Sequence, residues 1–505
     1  MELLTERHAD EIAGVLSCYD RILIQGTLPT FCYAEGMTGY LFAHQIRIFD
    51  YVKFAEPLRD QLRANAEHLA EQHSLTIDYI RKANFRKESK VREVLRQRGT
   101  RPGLVWIFSA MERCSTYQPW YDKKTGKVFL RSREGKCLHY YFYFIDEELG
   151  LCFVRVPTWC PFRLQIYMNG HEWLAAQLRQ RKIACTLLEN AFVEIADWKK
   201  AQTLADGWRV EKIHQKLDEF ARTYCPIIVG LGFTYHWSVD QIEYATDLVF
   251  RRQQDLQAIY GHLTRTAIHA VKPENIATFL GRKLSPLYQG EMGNRFNIRI
   301  EGTRIKHAMG PVALKMYDKF GLILRLEITV NDVSFFQHYR QVEQRDGTRL
   351  TRWARMKKTL YSLPALREVL FAANRRYLEF ISAIEDPRVG LDQLHQVTRS
   401  LRQQERTYPG FNFFQKDDLH LMLTLARGEY NLRGFQNKHL RQHLTDKNSG
   451  QISRLLKRLR LHGLLKKVSH NYKYYLTLLG KHVVTTGLKL RELVVIPQLA
   501  FHPAG

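Results

Sequence analysis

The chain has 505 residues, with 76 Lys and Arg against 51 Asp and Glu and a formal net charge of +25. Such a length exceeds one ordinary domain, and such a charge calls for a polyanionic partner, with nucleic acid the leading class. The opening residues Met1 to His8 lack a basic cluster followed by an apolar run, and no later stretch has the apolar length of a membrane span, so a cytoplasmic protein without a membrane partner is expected.

The eight cysteines lie at or before Cys225 with no Cys-x-x-Cys pair, which is poor zinc-ligand spacing and suits reduced, buried thiols. Arg21 to Gly26 reads as a strand, and helical periodicity follows over 51–72 and 76–98. The second helix carries Arg81, Lys82, Arg86, Lys87, Lys90, Arg92, Arg96 and Arg98, a density suited to a phosphate backbone. From Gly103 to Pro157 the pattern turns to strands, with a basic hairpin tip over 122–127. Within it, His139 to Phe144 is either a base-stacking surface or the two faces of a central strand. A helix over 162–181 and a short strand near 183–187 complete a basic α+β domain, 1–200. The order of strand, hairpin, helix and strand is similar to an RNase H-like core, which would make Asp20, Glu172 and Glu189 the carboxylates of a two-metal site.

A central domain, 201–407, is expected to be mostly helical from Leu204 to His269, with Val239, Ile242, Ala245 and Val249 as an apolar helix stripe. A Gly/Pro-rich loop over 284–290 leads into strands between Phe296 and Val330; helices are expected to return after Val333, the longest over 363–384. His139, His236, His269 and His307 lack metal spacing and read as hydrogen-bonded polar residues.

Two strands of that cluster, Val312 to Tyr317 and Leu322 to Thr329, carry the best candidate chemistry. Alternation sets Lys315 and Tyr317 on one face with Arg325, Glu327 and Thr329, extended by Arg304 and Lys306 from the preceding strand. A tyrosine oxygen can attack a phosphodiester while cations hold the phosphate and a carboxylate takes a proton or places a metal. The run Lys315 to Asp332 resembles the Tyr-Asp-Lys then Arg-x-Glu pattern of rolling-circle replication initiators, matching at Tyr317, Asp318, Lys319, Arg325 and Glu327. The resemblance implies catalytic roles for Tyr317, Lys319, Arg325 and Glu327, with Mg²⁺ needed for a nuclease. No His-apolar-His triplet accompanies it, and ordinary cross-strand ion pairing by Arg325 and Glu327 is the alternative.

After Tyr408-Pro409-Gly410, residues 408–490 form the last domain, before a tail over 491–505. An amphipathic helix from Asp417, a second through Phe435 to Leu444, and a third set by Ile452, Leu455, Leu456 and Leu459 precede two strands around Ser469-His470-Asn471. Asn448-Ser449-Gly450 offers the third helix a cap, and Thr477 caps a closing helix. Ser453, Arg454, Lys457, Arg458 and Arg460 take the face opposite its apolar stripe. This order resembles the winged helix-turn-helix domains of the MarR and ArsR regulators. The resemblance implies duplex DNA as partner, read by Ser453, Arg454, Lys457 and Arg458 and gripped by Lys466, Lys467, Tyr472 and Lys473, in a homodimer and with no cofactor. The sequence thus points to a DNA-binding α+β protein, a transcription regulator or mobile-element accessory protein, with a strand-nicking enzyme or a single-strand DNA or RNA binder as alternatives.

Overall fold

Apolar residues on alternate positions, and on both faces of the central strands, build one long sheet. In the computed structural model, residues 3–82, 84–283, 292–299, 302–384, 388–468 and 472–500 are described, and the chain divides into two units, Met1–Glu385 and Asp386–Gly505. The first unit contributes strands β1 (Ile12–Thr27), β2 (Ile77–Tyr79), β3 (Gly103–Tyr121), β4 (Val128–Asp146), β5 (Gly150–Pro157) and β6 (Leu164–Asn169). A small hairpin follows, β7 (Cys185–Leu188) and β8 (Ala191–Ile195), then β9 (His236–Phe250), β10 (Met292–Arg299), β11 (Gly302–Met309), β12 (Val312–Lys319) and β13 (Ile323–Val330). Eleven of these form a single sheet in the order β10-β11-β12-β13-β9-β1-β6-β5-β4-β3-β2, antiparallel except for the β2–β3 pair.

That order contains the same topology twice. In one half, β1 is followed by helices and by the meander β3 to β6, whose last strand returns antiparallel to β1. In the other, β9 is followed by helices and by the meander β10 to β13, whose last strand returns antiparallel to β9. The halves join through the antiparallel pair β1–β9. The boundary expected at residue 200 falls inside this sheet, so it divides nothing: strands from both sides of it share one core.

One sheet face is closed by helices. Leu62 and Ala66 of Tyr51–Gln72, Leu217 of Val210–Tyr224, Leu263 of Gln253–His269 and Leu370 of Leu363–Ile384 pack on Ile22, Ile166, Tyr244, Leu314 and Leu326. The other face is covered only in parts. The helix Lys87–Arg98 lays Val91 over Phe108, Tyr141 and Tyr143. Farther along, the helices Gly170–Gln180 and Trp198–Asp206, with β7–β8, cover Leu16 and Cys18.

Several expected elements differ. The helix expected to carry the stripe Val239, Ile242, Ala245 and Val249 is the strand β9, whose Ile242, Tyr244, Ala245, Leu248 and Val249 are all buried; a strand buried on both faces offers apolar residues at every spacing, including the helical one. The helix expected over 76–98 begins only at Lys87, after β2, and the one over 162–181 is β6 followed by the helix Gly170–Gln180. Where helices were expected after Val333 there is a hairpin, β14 (Gln337–Glu343) and β15 (Arg349–Arg355), before the helix Leu363–Ile384. The loop expected over 284–290 lies outside the described residues.

The second unit has its own core of Val397, Phe411, Leu421, Leu440, Ile452, Leu456, Leu459, Leu464 and Leu476. It begins earlier than residue 408, because the helix Arg388–Thr398 and the hairpin β16 (Leu401–Gln403) and β17 (Arg406–Tyr408) precede Phe411, whose N–H donates to the Val397 carbonyl at 2.9 Å. Helices Lys416–Leu425, Gly428–Arg433, Asn437–His443 and Ser449–Leu461 follow, then β18 (Leu465–Val468), β19 (Lys473–Leu476) and the helix Leu478–Leu490. Phe435 bridges to Tyr474, beside the β18–β19 pair. The side chains of Asn448 and Thr477 accept from the N–H groups of Gln451 and Gly480, the capping expected of them. The Ser469-His470-Asn471 turn lies outside the described residues. No described helix is long and apolar enough to cross a membrane.

Candidate functional site

The candidate site lies on the partly covered face, where the two halves of the sheet meet. On β1, Tyr19 pairs with Tyr244 and Ile22 with Ile242, so Asp20 and Arg21 together oppose Glu243 in a β-bulge. Across β9, β13 and β12, register sets Asp247 opposite Arg325 and Tyr317, and Glu327 opposite Lys315. Lys306 on β11 pairs with Lys315, and Arg295 on β10 pairs with Lys306, so a row of three cations runs toward Glu327.

The inner part is a buried charge cluster. Arg325 has no exposed surface; its Nε and Nη2 donate to the two oxygens of Asp247 at 2.6 Å each, Nη1 to Asp20 Oδ2 at 3.2 Å, and Nη2 also to the Asn190 carbonyl at 2.7 Å. His171 places Nδ1 3.2 Å from Asp20 Oδ1 and Nε2 3.7 Å from Asp247 Oδ2. Asn169 and Asn190 donate to Asp20 at 3.1 and 2.6 Å. Burial alone would raise the Asp20 carboxyl, but the hydrogen bond and charge of His171 and the charge of Arg325 hold it well below the ordinary range. Asp247 is likewise held low, with Arg325 the leading opponent of burial. Against the pull of its own burial, His171 is held well above the usual imidazole range by Cys18, Asp20 and Asp247. His171 Nε2 also lies 3.3 Å from Arg325 Nη2, so the ring and the guanidinium share the same two buried carboxylates.

The outer part reaches solvent. Glu327 accepts from the Tyr317 hydroxyl at 2.6 Å and from Lys315 Nζ at 2.5 Å. Lys315 also lies 3.2 Å from Glu243, which accepts from Thr329 at 3.0 Å. The side chains of Lys315 and Glu243 keep 16% and 18% of their exposure, which makes them the mouth of the site. One oxygen each from Asp20, Glu243 and Glu327 lie within 4.8 Å of one another. These three are the residues that would hold a divalent ion, with Lys315 displaced from Glu243 and Glu327, although both oxygens of Asp20 and of Glu327 already accept hydrogen bonds or ion pairs from neighbouring side chains. Burial and the Glu327 charge keep the Tyr317 hydroxyl well above its ordinary value. Burial and the nearby Arg325 push Lys319 down to about 8, with its ammonium on the Asn190 side-chain oxygen.

The four expected catalytic residues are therefore neighbours in different roles. Tyr317 and buried Glu327 are hydrogen-bonded just beneath the mouth, Lys319 is buried beside Asn190, and Arg325 is walled off from any substrate by the groups it bonds. Of the acids expected in an RNase H-like arrangement only Asp20 is here; Glu189 pairs with Arg92 at 3.3 Å, and Glu172 lies in the first turn of the helix Gly170–Gln180. Sequence reasoning missed Asp247, Glu243, His171 and Asn190. With 236–250 read as a strand, alternation alone would have put Glu243 and Asp247 on one face.

In the second unit Arg454, Lys457 and Lys466 are exposed, and Lys467 lies 4.2 Å from the ring of exposed Tyr472. Ser453 accepts from Asn437 at 2.9 Å, and Lys473 is half-buried. Arg458 is turned inward: it pairs with Asp418 at 2.7 Å, donates to the Pro409 carbonyl at 2.9 Å and stacks on Phe411 at 3.9 Å. Elsewhere, buried Cys160 has its thiol raised by burial, and burial lowers His139 and His307 to about 4, leaving all three neutral. Comparison with protein-family models, curated proteins and solved structures gives no match to this chain.

Proposed function

We propose that this is a DNA-binding protein that cleaves a strand at the mouth of the sheet site, with Tyr317 as nucleophile. The observation that carries the reading is the 2.6 Å hydrogen bond from the Tyr317 hydroxyl to Glu327, a carboxylate grouped with Asp20 and Glu243. A tyrosine in contact with its own base, next to a cation row and a metal-competent carboxylate set, is the constellation that phosphodiester transfer needs. In the step, Tyr317 Oη forms a bond to phosphorus as its proton passes to Glu327. The bond from phosphorus to the leaving sugar oxygen breaks, and water protonates that oxygen. Mg²⁺ held by Asp20, Glu243 and Glu327 would supply charge neutralisation at the phosphate. Lys315, Lys306 and Arg304 hold the phosphate; Arg325, Asp247 and His171 position Asp20.

The second unit is a winged helix on this reading. The helix order, the β18–β19 pair, the exposed Arg454, Lys457 and Lys466 and the half-buried Lys467 support it, with Ser449–Leu461 as the recognition helix. Arg458 leaves the set of DNA contacts for a structural one. A pure binder is the second reading, favoured by Lys315, which already pairs with both Glu243 and Glu327.

Incubating the protein with Mg²⁺ and end-labelled single- and double-stranded DNA, then resolving products on denaturing gels, separates the two. Cleavage is expected, with a protein-linked strand absent from Tyr317→Phe and at least 100-fold slowed in Glu327→Gln, given the ~10²–10⁴ typical of a general base. Intact strands under every metal tested, with duplex still retarded on native gels, leave only the binder.

A further inference from the structure

The hairpin β14–β15 is not accounted for by either site. Its seven pairs run from Gln337 with Arg355 to Glu343 with Arg349, a ribbon about 24 Å long. At its base, buried Phe336 and Met356 are joined by a 2.9 Å backbone hydrogen bond, and the Lys358 carbonyl accepts from Val239 N–H at 2.7 Å. Beyond that base both faces are open. Register sets Tyr339 opposite Trp353, 63% and 68% exposed, on one face, and Arg340 opposite Arg352 and Val342 opposite Leu350, the last 56% exposed, on the other. An isolated two-stranded hairpin is marginal in water, and two large rings and a leucine left in solvent on one imply a partner.

Charge says what kind. Between Gln337 and Lys358 there are five Arg and two Lys against Glu343 and Asp346. Arg340 donates to the Arg355 carbonyl and stiffens the ribbon. Arg345, Arg349 and Arg352 are exposed, and among the described residues none has a carboxylate partner. The major groove of duplex DNA admits a two-stranded ribbon, and free guanidiniums suit both its phosphates and the guanine edge.

We infer that β14–β15 is a DNA-docking ribbon that enters the major groove of duplex DNA through Arg345, Arg349 and Arg352. This rests on the nucleic-acid reading of the chain and adds to it a duplex contact within the first unit. The test measures binding of the full-length protein to a labelled duplex and to the matching single strand across a salt series, with methylation protection of guanine N7 on the duplex. Wild type is compared with Arg345→Ala/Arg349→Ala/Arg352→Ala, whose exposed positions spare the core; equal melting temperatures verify that. The triple variant is expected to lower the slope of log affinity against log salt by roughly 2–3, as loss of up to three phosphate contacts requires, and to lose N7 protection. An unchanged slope and footprint would overturn the ribbon while leaving the parent reading intact. Weakening confined to the single strand would overturn its place in the groove. A wild type that retains no DNA would overturn both.

Discussion

Asp20, Asp247, His171 and Arg325 are so closely coupled that their protonation sets the stability of the sheet's centre. The carboxyls are held below their ordinary range near 4, so their stabilisation is complete above about pH 4 and lost as pH falls through the lowered values. His171 is held high, so its stabilisation is complete below about pH 6.5 and lost as pH rises toward its raised value. Lys319 works the other way: held down to about 8, it favours the fold as pH rises past that value. Between pH 6 and 8, below the Lys319 window, the urea midpoint of wild type is therefore expected to decline with pH. His171→Gln is expected to flatten that decline; a variant profile parallel to the wild type would show that another group titrates. Arg325 was placed by its neighbours in the sequence among catalytic groups, but burial decides otherwise. Removing it strands two buried carboxylates, a loss of about 3–5 kcal/mol in stability, before any question of rate arises.

At the scale of elements, Asn169 shows how one residue joins a strand, a helix and the site. It ends β6, its side-chain oxygen accepts from the N–H groups of His171 and Glu172 as the cap of Gly170–Gln180, and its amide donates to Asp20. Asn169→Ala removes these three bonds and the 3.3 Å bond to the Tyr167 hydroxyl, and about 2 kcal/mol of stability, the upper end for a cap, is the expected loss in urea unfolding. Asn169→Asp keeps the cap but sets a second carboxylate against Asp20, so it should recover less than half of that; full recovery would mean that the bond to Asp20 carries nothing. The helices Tyr51–Gln72 and Leu363–Ile384 and the strands β12 and β13 were legible because each has one dominant period. The strand β9 was not: with Ile242, Tyr244 and Leu248 inward and Ala245 and Val249 on the opposite face, apolar residues recur at both helical and strand spacing. That one misreading hid Glu243 and Asp247, and with them half of the site. His171 and Asn190 were hidden differently, since they reach Asp20 from 151 and 170 residues away and no local pattern reports such a pairing.

The whole molecule pairs a duplicated sheet with a separate small unit, and each has a closed core of its own. The duplication was invisible in the sequence because it lies in strand order rather than residue identity: β1 with β3–β6 and β9 with β10–β13 repeat a path, not a motif. The small unit begins at Asp386, and the helix Arg388–Thr398 belongs to it because Val397 is 1% exposed in its core and the Gln396 carbonyl lies 2.6 Å from His462 Nδ1. A fragment of residues 386–505 is therefore expected to fold alone, with helical circular dichroism and one cooperative melt, whereas a fragment starting at residue 408 loses Val397 and the His462 partner and should melt at least 5 °C lower, since about 1–2 kcal/mol at this size moves the midpoint by that much. On the winged-helix reading the 386–505 fragment retards duplex DNA, and Arg454→Ala with Lys457→Ala lowers its salt slope by roughly 2 if both reach phosphates. A fragment that folds but leaves duplex unbound would assign all DNA contact to the sheet unit, whose cation row and basic ribbon would then carry the chain's excess of positive charge to the nucleic acid without help.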